Sequence, residues 1–247
     1  MKIIKNFSPN YDRKKRASNS IQIIVFHYTG MQSERESIER LCNPSSKVTS
    51  HYLINRRGKI FSLVQDRHIA WHAGKSCWGR YKNLNKNSIG IELVNKGHQF
   101  GYTSFKKKQI SILITLCKKL IKKYKIKKKN IIGHSDIAPL RKIDPGEKFP
   151  WKYLAKNKVG IWHDYEPNLS RKFRGIKVLI QQDKKRFVKN LNKIGYCLLV
   201  RNKPFFIKTI KAFQRRFRKE LVNGILDQEC FMIAQNLTKK TIKKPLI

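Results

Sequence analysis

The apolar positions along the chain fall into strand-like and helix-like rhythms. Ile21-Gln-Ile-Ile-Val-Phe26 is a β-branched run of the kind that forms a buried strand, and it ends at His27-Tyr-Thr-Gly30. Such a strand delivers a histidine at its C-terminal edge. Ser33 to Leu41 reads as a short polar helix, with Ser33 and Glu36 at the capping-box spacing. Tyr52–Asn55 and Lys59–Val64, separated by Arg56-Arg-Gly58, predict a β-hairpin. Asp66 to Asn87 holds Trp71, His72, Gly74, Trp78, Gly79 and Tyr81 and reads as a long loop of the functional kind. Ser88 to Val94 predicts a strand whose alternation sets Ile89, Ile91 and Leu93 on one face and Glu92 on the other.

A long helix is predicted from Ser104. Ile110, Leu113, Ile114, Cys117, Leu120, Ile121 and Tyr124 make its apolar stripe, and lysines fill the opposite face. Asn130-Ile-Ile132 is a short strand ending at Gly133-His134, and the proline-bearing stretch Ser135 to Trp151 reads as an ordered loop. The character changes over residues 161–175, read as a linker. Helices follow at Phe187–Gly195, within Pro204–Arg218 (stripe Ile207, Ile210, Phe213, Phe217) and at Gln228–Leu237, with a turn at Gly224-Ile-Leu-Asp227. The division expected is therefore a basic segment 1–20, a mixed strand-and-helix unit 21–160, the linker 161–175 and a helical unit 176–240. The lysine-rich tail 238–247 reads as frayed.

At 247 residues, with 40% apolar and 11% aromatic residues, the chain is long and apolar enough to fold around a core without staples. No apolar run approaches about 18 residues, so no transmembrane helix is expected. Charge is the outlier: 56 Lys and Arg against 15 Asp and Glu give +41, a field that attracts polyanions. The joint abundance of Lys, Ile and Asn is also what a biased base composition produces. Cys42, Cys77, Cys117, Cys197 and Cys230 are scattered and odd in number, which reads as neither a disulfide framework nor a zinc finger. Residues 1–20 carry no apolar stretch of signal-peptide type.

His27 and His134 at strand ends, with Asp144 in a loop ten residues after the second, suggest a metal site. Two imidazoles and one carboxylate leave a coordination position open, the arrangement of catalytic rather than structural zinc.

The local words around these residues resemble the zinc-dependent N-acetylmuramoyl-L-alanine amidases of the AmpD/AmiD type, within the peptidoglycan recognition protein superfamily. They are Val25-Phe-His-Tyr-Thr29, Ser50-His-Tyr-Leu-Ile54, Ala70-Trp-His-Ala-Gly74, Asn87-Ser-Ile-Gly-Ile-Glu-Leu93, Ile132-Gly-His-Ser-Asp136 and Lys142-Ile-Asp-Pro-Gly146 followed by Phe149-Pro-Trp151. They occur in the family's order over about residues 20–155. The resemblance implies an α/β fold: a mixed central β-sheet flanked by helices, followed here by a small three-helix domain. It implies one zinc ion per chain on His27, His134 and Asp144, Glu92 as the acidic proton carrier and Lys142 as the oxyanion donor. The reaction implied is hydrolysis of the amide between N-acetylmuramic acid, or its 1,6-anhydro form, and L-alanine. His51 is expected to be embedded in the sheet or to lie behind the ligands. Trp71 and His72 are expected in the substrate groove, and Asn55 and Arg56 are candidates for substrate carboxylates.

Asn192-Lys-Ile-Gly-Tyr196, Ala212-Phe-Gln-Arg-Arg-Phe217 and Asn223-Gly-Ile-Leu-Asp227 are similar to the three-helix peptidoglycan-binding module that follows some of these amidases, without the G-x-x-T that usually closes it. Every candidate catalytic residue precedes residue 150, so removal of 176–240 is expected to spare hydrolysis of small muropeptides. The expected partners are peptidoglycan or muropeptides, and anionic wall polymers through the basic surface. Two further readings are a recognition protein without catalysis, against which Glu92 and Lys142 stand, and a nucleic-acid binder, which lacks any supporting motif. A wall-binding module favours the cell envelope; the missing signal peptide favours the cytoplasm.

Overall fold

A computed structural model describes residues 2–198 and 203–242. Strands β1 (Ile3–Lys5) and β2 (Tyr11–Asp12) precede β3 (Ile23–Tyr28), helix α1 (Glu34–Cys42), β4 (Tyr52–Ile54) and β5 (Ile60–Ser62). Short strands β6 (Ile69–Ala70), β7 (Cys77–Trp78) and β8 (Tyr81–Lys82) punctuate the loop before β9 (Ser88–Leu93). Then come α2 (Lys107–Tyr124), β10 (Ile131–Gly133), the single turn α3 (His134–Ile137), α4 (Trp151–Lys156), α5 (Pro167–Arg171), α6 (Gln181–Ile194), α7 (Lys203–Phe217) and α8 (Gln228–Ile242).

The main sheet has the order β1-β5-β4-β9-β3-β10. The β4–β5 hairpin is antiparallel and the other pairs are parallel, so the sheet is mixed as expected. Strand β3 feeds a core on each face, which is why its sequence is an apolar run rather than an alternation. Ile24 and Phe26 pack with Ile89, Ile91 and Leu93 of β9 beneath the α2 stripe Ile110, Leu113, Cys117 and Leu120. Ile23 and Val25 pack with Ile132 on the opposite face, in one continuous cluster with Phe187, Leu191, Phe213 and Leu237 of α6, α7 and α8. Helix α1 opens as its sequence predicts, with Ser33 Oγ accepting from the Glu36 amide at 3.1 Å.

Several expectations need correction. Residues 1–20, read from sequence only as a basic segment, join the fold: β1 lies parallel to β5 at the sheet edge, and Ser8, Asn10 and Arg16 are buried. Two or three extended residues among lysines carry no periodic signal. Helix α2 begins at Lys107 after Lys106, three residues beyond Ser104, and no side chain caps it. The Ser135–Trp151 stretch opens with the helical turn α3, too short to show a period. Segment 161–175 includes α5, and Ile161, Trp162 and Tyr165 pack against the second core, which holds it to the body of the protein. The tail continues α8 to Ile242, and residues 243–247 lie outside the described residues. Two of the five cysteines do form a disulfide, Cys77–Cys197, joining positions 120 apart. No local spacing can announce a pairing that distant. Within the described residues no helix is long and apolar enough to cross a membrane.

Candidate metal centre

Parallel pairing places His27 of β3 directly beside Glu92 of β9, so both side chains leave the same face of the sheet. Strand β10 runs on the other side of β3, with Gly133 beside Phe26, and the next residue is His134. Asp144 returns to this edge through its backbone, where its carbonyl accepts from the Ser135 amide at 2.8 Å. Three side chains from distant positions thus converge at the C-terminal ends of parallel strands. His27 Nδ1 lies 2.9 Å from His134 Nδ1 and 3.1 Å from Asp144 Oδ2, and His134 Nδ1 lies 3.1 Å from the same oxygen. These residues form the group of potential metal ligands found among the described residues.

The outer nitrogens decide what the inner ones offer. His134 Nε2–H donates to the Ala73 carbonyl at 3.3 Å, which leaves Nδ1 with a lone pair. His27 Nε2 meets His72 Nδ1 at 3.0 Å, and His72 Nε2 meets Ser88 Oγ at 3.1 Å. The Ser88 hydroxyl donates to the Leu84 carbonyl at 2.6 Å and so accepts from His72. The proton order is then fixed: His72 Nε2–H donates to Ser88, His27 Nε2–H donates to His72, and His27 Nδ1 carries a lone pair. Two imidazole lone pairs and a carboxylate oxygen therefore face one another with no proton of their own to share. Such a trio is satisfied by a cation. Bonds of about 2.0–2.1 Å in a tetrahedron place neighbouring ligand atoms about 3.3 Å apart. The observed separations lie just inside that value, and two nitrogens with one carboxylate are a donor set suited to zinc.

Burial, helped by the neighbouring His134, pushes His27 down to about 4, so it is neutral near pH 7. Burial alone would raise the Asp144 carboxyl, but His134 and His27 outweigh it and hold the group below its ordinary range. Burial, and then the Asp144 carboxylate, push Glu92 well above its ordinary range, against the pull of Lys142. Glu92 Oε2 is buried with no hydrogen-bond partner among the described residues. Glu92, Lys142, Arg40 and Arg141 join the three converging side chains and His72 in lining a cavity of about 440 Å³.

The other residues read from sequence sit differently. His72 is 5% exposed and touches the cavity, yet both of its ring nitrogens are engaged by protein, so it offers none to a ligand. Gly90 explains its position, because a Cβ there would come within 2.5 Å of the His72 ring. Trp71 is not brought to the cavity; its indole donates to Asp12 at 2.7 Å and pins the N-terminal segment. Asn55 accepts from the Arg57 and Lys59 amides and donates to Glu34, which makes it the organiser of the β4–β5 turn. Arg56 donates to Thr103 and is not among the cavity-lining residues. Sequence reasoning passed over Ser88, Arg40 and Arg141. Ser88 opens the strand that carries Glu92, but only the fold brings it to His72.

His51 is embedded in the sheet, as expected. Its Nδ1 accepts from the Gly90 amide at 3.0 Å, and Nε2–H donates to the His68 carbonyl at 3.1 Å. Burial, then the Arg16 guanidinium, lower it to about 3 from its ordinary 6.5. The folded value lies below the unfolded one, so the unfolded chain takes the proton first. Stability fully present above about pH 6.5 should decline as pH falls toward about 3, by up to roughly 1.4 kcal/mol per pH unit. Urea unfolding at about pH 7 and about pH 5 should show a larger loss for the wild type than for His51→Gln; equal losses would contradict it.

Comparison with known proteins agrees with the geometry. The family profile described as N-acetylmuramoyl-L-alanine amidase matches residues 17–147. The N-acetylmuramoyl-L-alanine amidase AmiD of Escherichia coli (strain K12) is 36% identical over 237 residues, covering 89% of this chain and 83% of AmiD. The 1,6-anhydro-N-acetylmuramyl-L-alanine amidase AmpD of Haemophilus influenzae is 33% identical over 170 residues, 61% of this chain and 90% of AmpD. Among solved structures, E. coli AmiD in complex with anhydro-N-acetylmuramic acid-L-Ala-D-gamma-Glu-L-Lys superposes with a TM-score of 0.80 at 34% identity, covering 93% of each chain. AmpDh3 of Pseudomonas aeruginosa gives 0.79 at 32% identity, covering 92% of this chain and 94% of its own. With its sheet order, its convergent His, His and Asp, and its likeness along most of its length, this chain belongs to the N-acetylmuramoyl-L-alanine amidase family of the AmpD/AmiD type.

Proposed function

We propose that this amidase is zinc-dependent and that it cleaves the bond between N-acetylmuramic acid, with the 1,6-anhydro form included, and the first L-alanine of the stem peptide. His27 Nδ1, His134 Nδ1 and Asp144 Oδ2 would hold one zinc ion. The observation that carries this reading is the convergence of these three atoms to about 3 Å of one another in the lining of a cavity shared with Glu92 and Lys142. The AmiD and AmpDh3 structures carry anhydromuramic peptides, which supports the same substrate class here.

The chain's own residues account for the rest of the reaction. Zinc, when bound, supplies Lewis acidity to the scissile carbonyl and to water. Glu92, which lines the cavity and whose Oε2 has no hydrogen-bond partner among the described residues, takes the proton of the attacking water and returns it to the departing amide nitrogen. The Lys142 ammonium, on the same cavity wall, holds the negative charge that develops on the carbonyl oxygen. His72 and Ser88 keep His27 in the tautomer whose Nδ1 is free. The net charge of +41 supports adhesion to anionic wall polymers, weakened by salt.

The test is metal content together with release of the stem peptide from anhydro-muropeptide, followed by mass spectrometry. The wild type should bind one zinc ion per chain and His134→Ala should lose it along with hydrolysis. Stoichiometric zinc in His134→Ala would overturn the ligand assignment.

A further inference from the structure

The turn that carries His134 is gripped by the C-terminal helices. Asp136, two residues after His134, is 2% exposed and joins three parts of the fold. Its Oδ2 accepts from the Gly133 amide at 2.8 Å and from Arg216 of α7 at 2.7 Å. Its Oδ1 accepts from the Tyr196 hydroxyl, just beyond α6, at 2.6 Å. A second nitrogen of Arg216 donates to the Ile131 carbonyl at 2.9 Å, and the guanidinium lies 4.5 Å from the Trp151 ring centre. One buried side chain thus holds both the start of β10 and the carboxylate just beyond its end.

A buried ion pair is a poor way to stabilise a fold, because apolar residues of similar volume often do as well or better. Its placement suggests another role. The groups that Arg216 and Tyr196 engage bracket His134 on both sides. The same turn also holds Asp144, whose backbone carbonyl accepts from the Ser135 amide at 2.8 Å. A shift of this turn would move two of the three converging atoms relative to His27.

We propose that Arg216 and Tyr196 are positioning residues for the metal centre, acting through Asp136 to fix the Gly133–His134 backbone and the approach of His134 Nδ1 to His27 and Asp144. The inference rests on the reading of His134 as a metal ligand. It makes the C-terminal helices a working part of the catalytic site, a role separate from any contact they make with the cell wall.

The experiment uses the full-length chain and measures the zinc dissociation constant by competition with a chromophoric chelator, at a temperature where each variant is folded by circular dichroism. Tyr196→Phe, which removes one hydroxyl, should weaken zinc binding by about tenfold, and Arg216→Met by about 10- to 100-fold, the range seen when outer partners of metal ligands are removed. Arg216→Lys, which keeps the charge beside Asp136, should recover part of the loss. In the zinc-loaded variants kcat should fall with KM little changed. Leu237→Ala is the control: it opens the core of α8, fully buried and without a polar contact to the turn, and should lower the melting temperature while leaving zinc affinity unchanged. Wild-type zinc affinity in Tyr196→Phe would overturn the proposal, and so would a Leu237→Ala variant that loses zinc as readily. If Arg216→Met does not fold, Tyr196→Phe against Leu237→Ala decides alone. A wild-type chain that takes up no zinc would sink the ligand assignment and this proposal together; a wild type that binds zinc beside variants that bind it equally would sink this proposal only.

Discussion

Replacing Glu92 by glutamine is expected to lower hydrolysis of anhydro-muropeptide by about 10²–10⁴-fold, the usual worth of a positioned proton carrier, with zinc retained. The metal stays because the three converging atoms belong to His27, His134 and Asp144, and Glu92 stands beside them. Stability should hold or rise. Glutamine keeps the shape while removing a buried carboxyl that faces Asp144 and whose Oε2 has no hydrogen-bond partner among the described residues. A gain in stability with a loss in activity is the signature of a side chain kept for chemistry. Lys142→Ala should also reduce turnover without loss of metal. Chromatographic assay of the released peptide beside metal analysis checks both variants. A Glu92→Gln enzyme that keeps more than about half of wild-type turnover would show that Glu92 is only a strand residue.

Truncation after residue 175 is expected to abolish folding of the remainder, and hydrolysis with it. This reverses what the sequence suggests, since every candidate catalytic residue lies before residue 150. The physical reason is the shared core. Ile23, Val25, Trp78 and Ile132 of the sheet side are buried in one cluster with Phe187, Leu191, Phe213 and Leu237 of the helices. Trp78 and Tyr196 meet ring to ring at 4.9 Å, and Cys77 is joined to Cys197. Each large apolar side chain returned to water costs about 1.5–3 kcal/mol, and a whole domain is stable by only about 5–15 kcal/mol. Uncovering four such side chains is therefore comparable to the entire stability. The cut also strips the Asp136 carboxylate of its Arg216 and Tyr196 partners. Circular dichroism and urea unfolding of the fragment check this, and a cooperative, zinc-binding fragment that hydrolyses muropeptide would contradict it.

The parts of this protein that its sequence determined are those in which a local pattern is also the final environment. The apolar run of β3 becomes a strand covered on both faces, the α2 stripe faces the sheet, and the alternation around Glu92 sends that side chain away from Ile91 and Leu93. His27, Glu92 and His134 were named from words that lie at or near the ends of strands, and Lys142 and Asp144 from a word in the loop between α3 and α4. What only the tertiary structure decided are relations between distant positions. The His27–His72–Ser88 chain joins residues from a strand, a loop and another strand, and no spacing along the sequence encodes it. Asn55 and Arg56 looked available to a ligand until the turn consumed Asn55 and Thr103 took Arg56. The helical unit reads as separable because its own periodicity is complete. Its attachment depends on Tyr196, Arg216 and Cys197, single residues whose partners lie 60, 80 and 120 positions away. Local sequence fixes which face of an element is apolar, but the partner that covers that face is chosen by packing, and packing is a property of the whole chain.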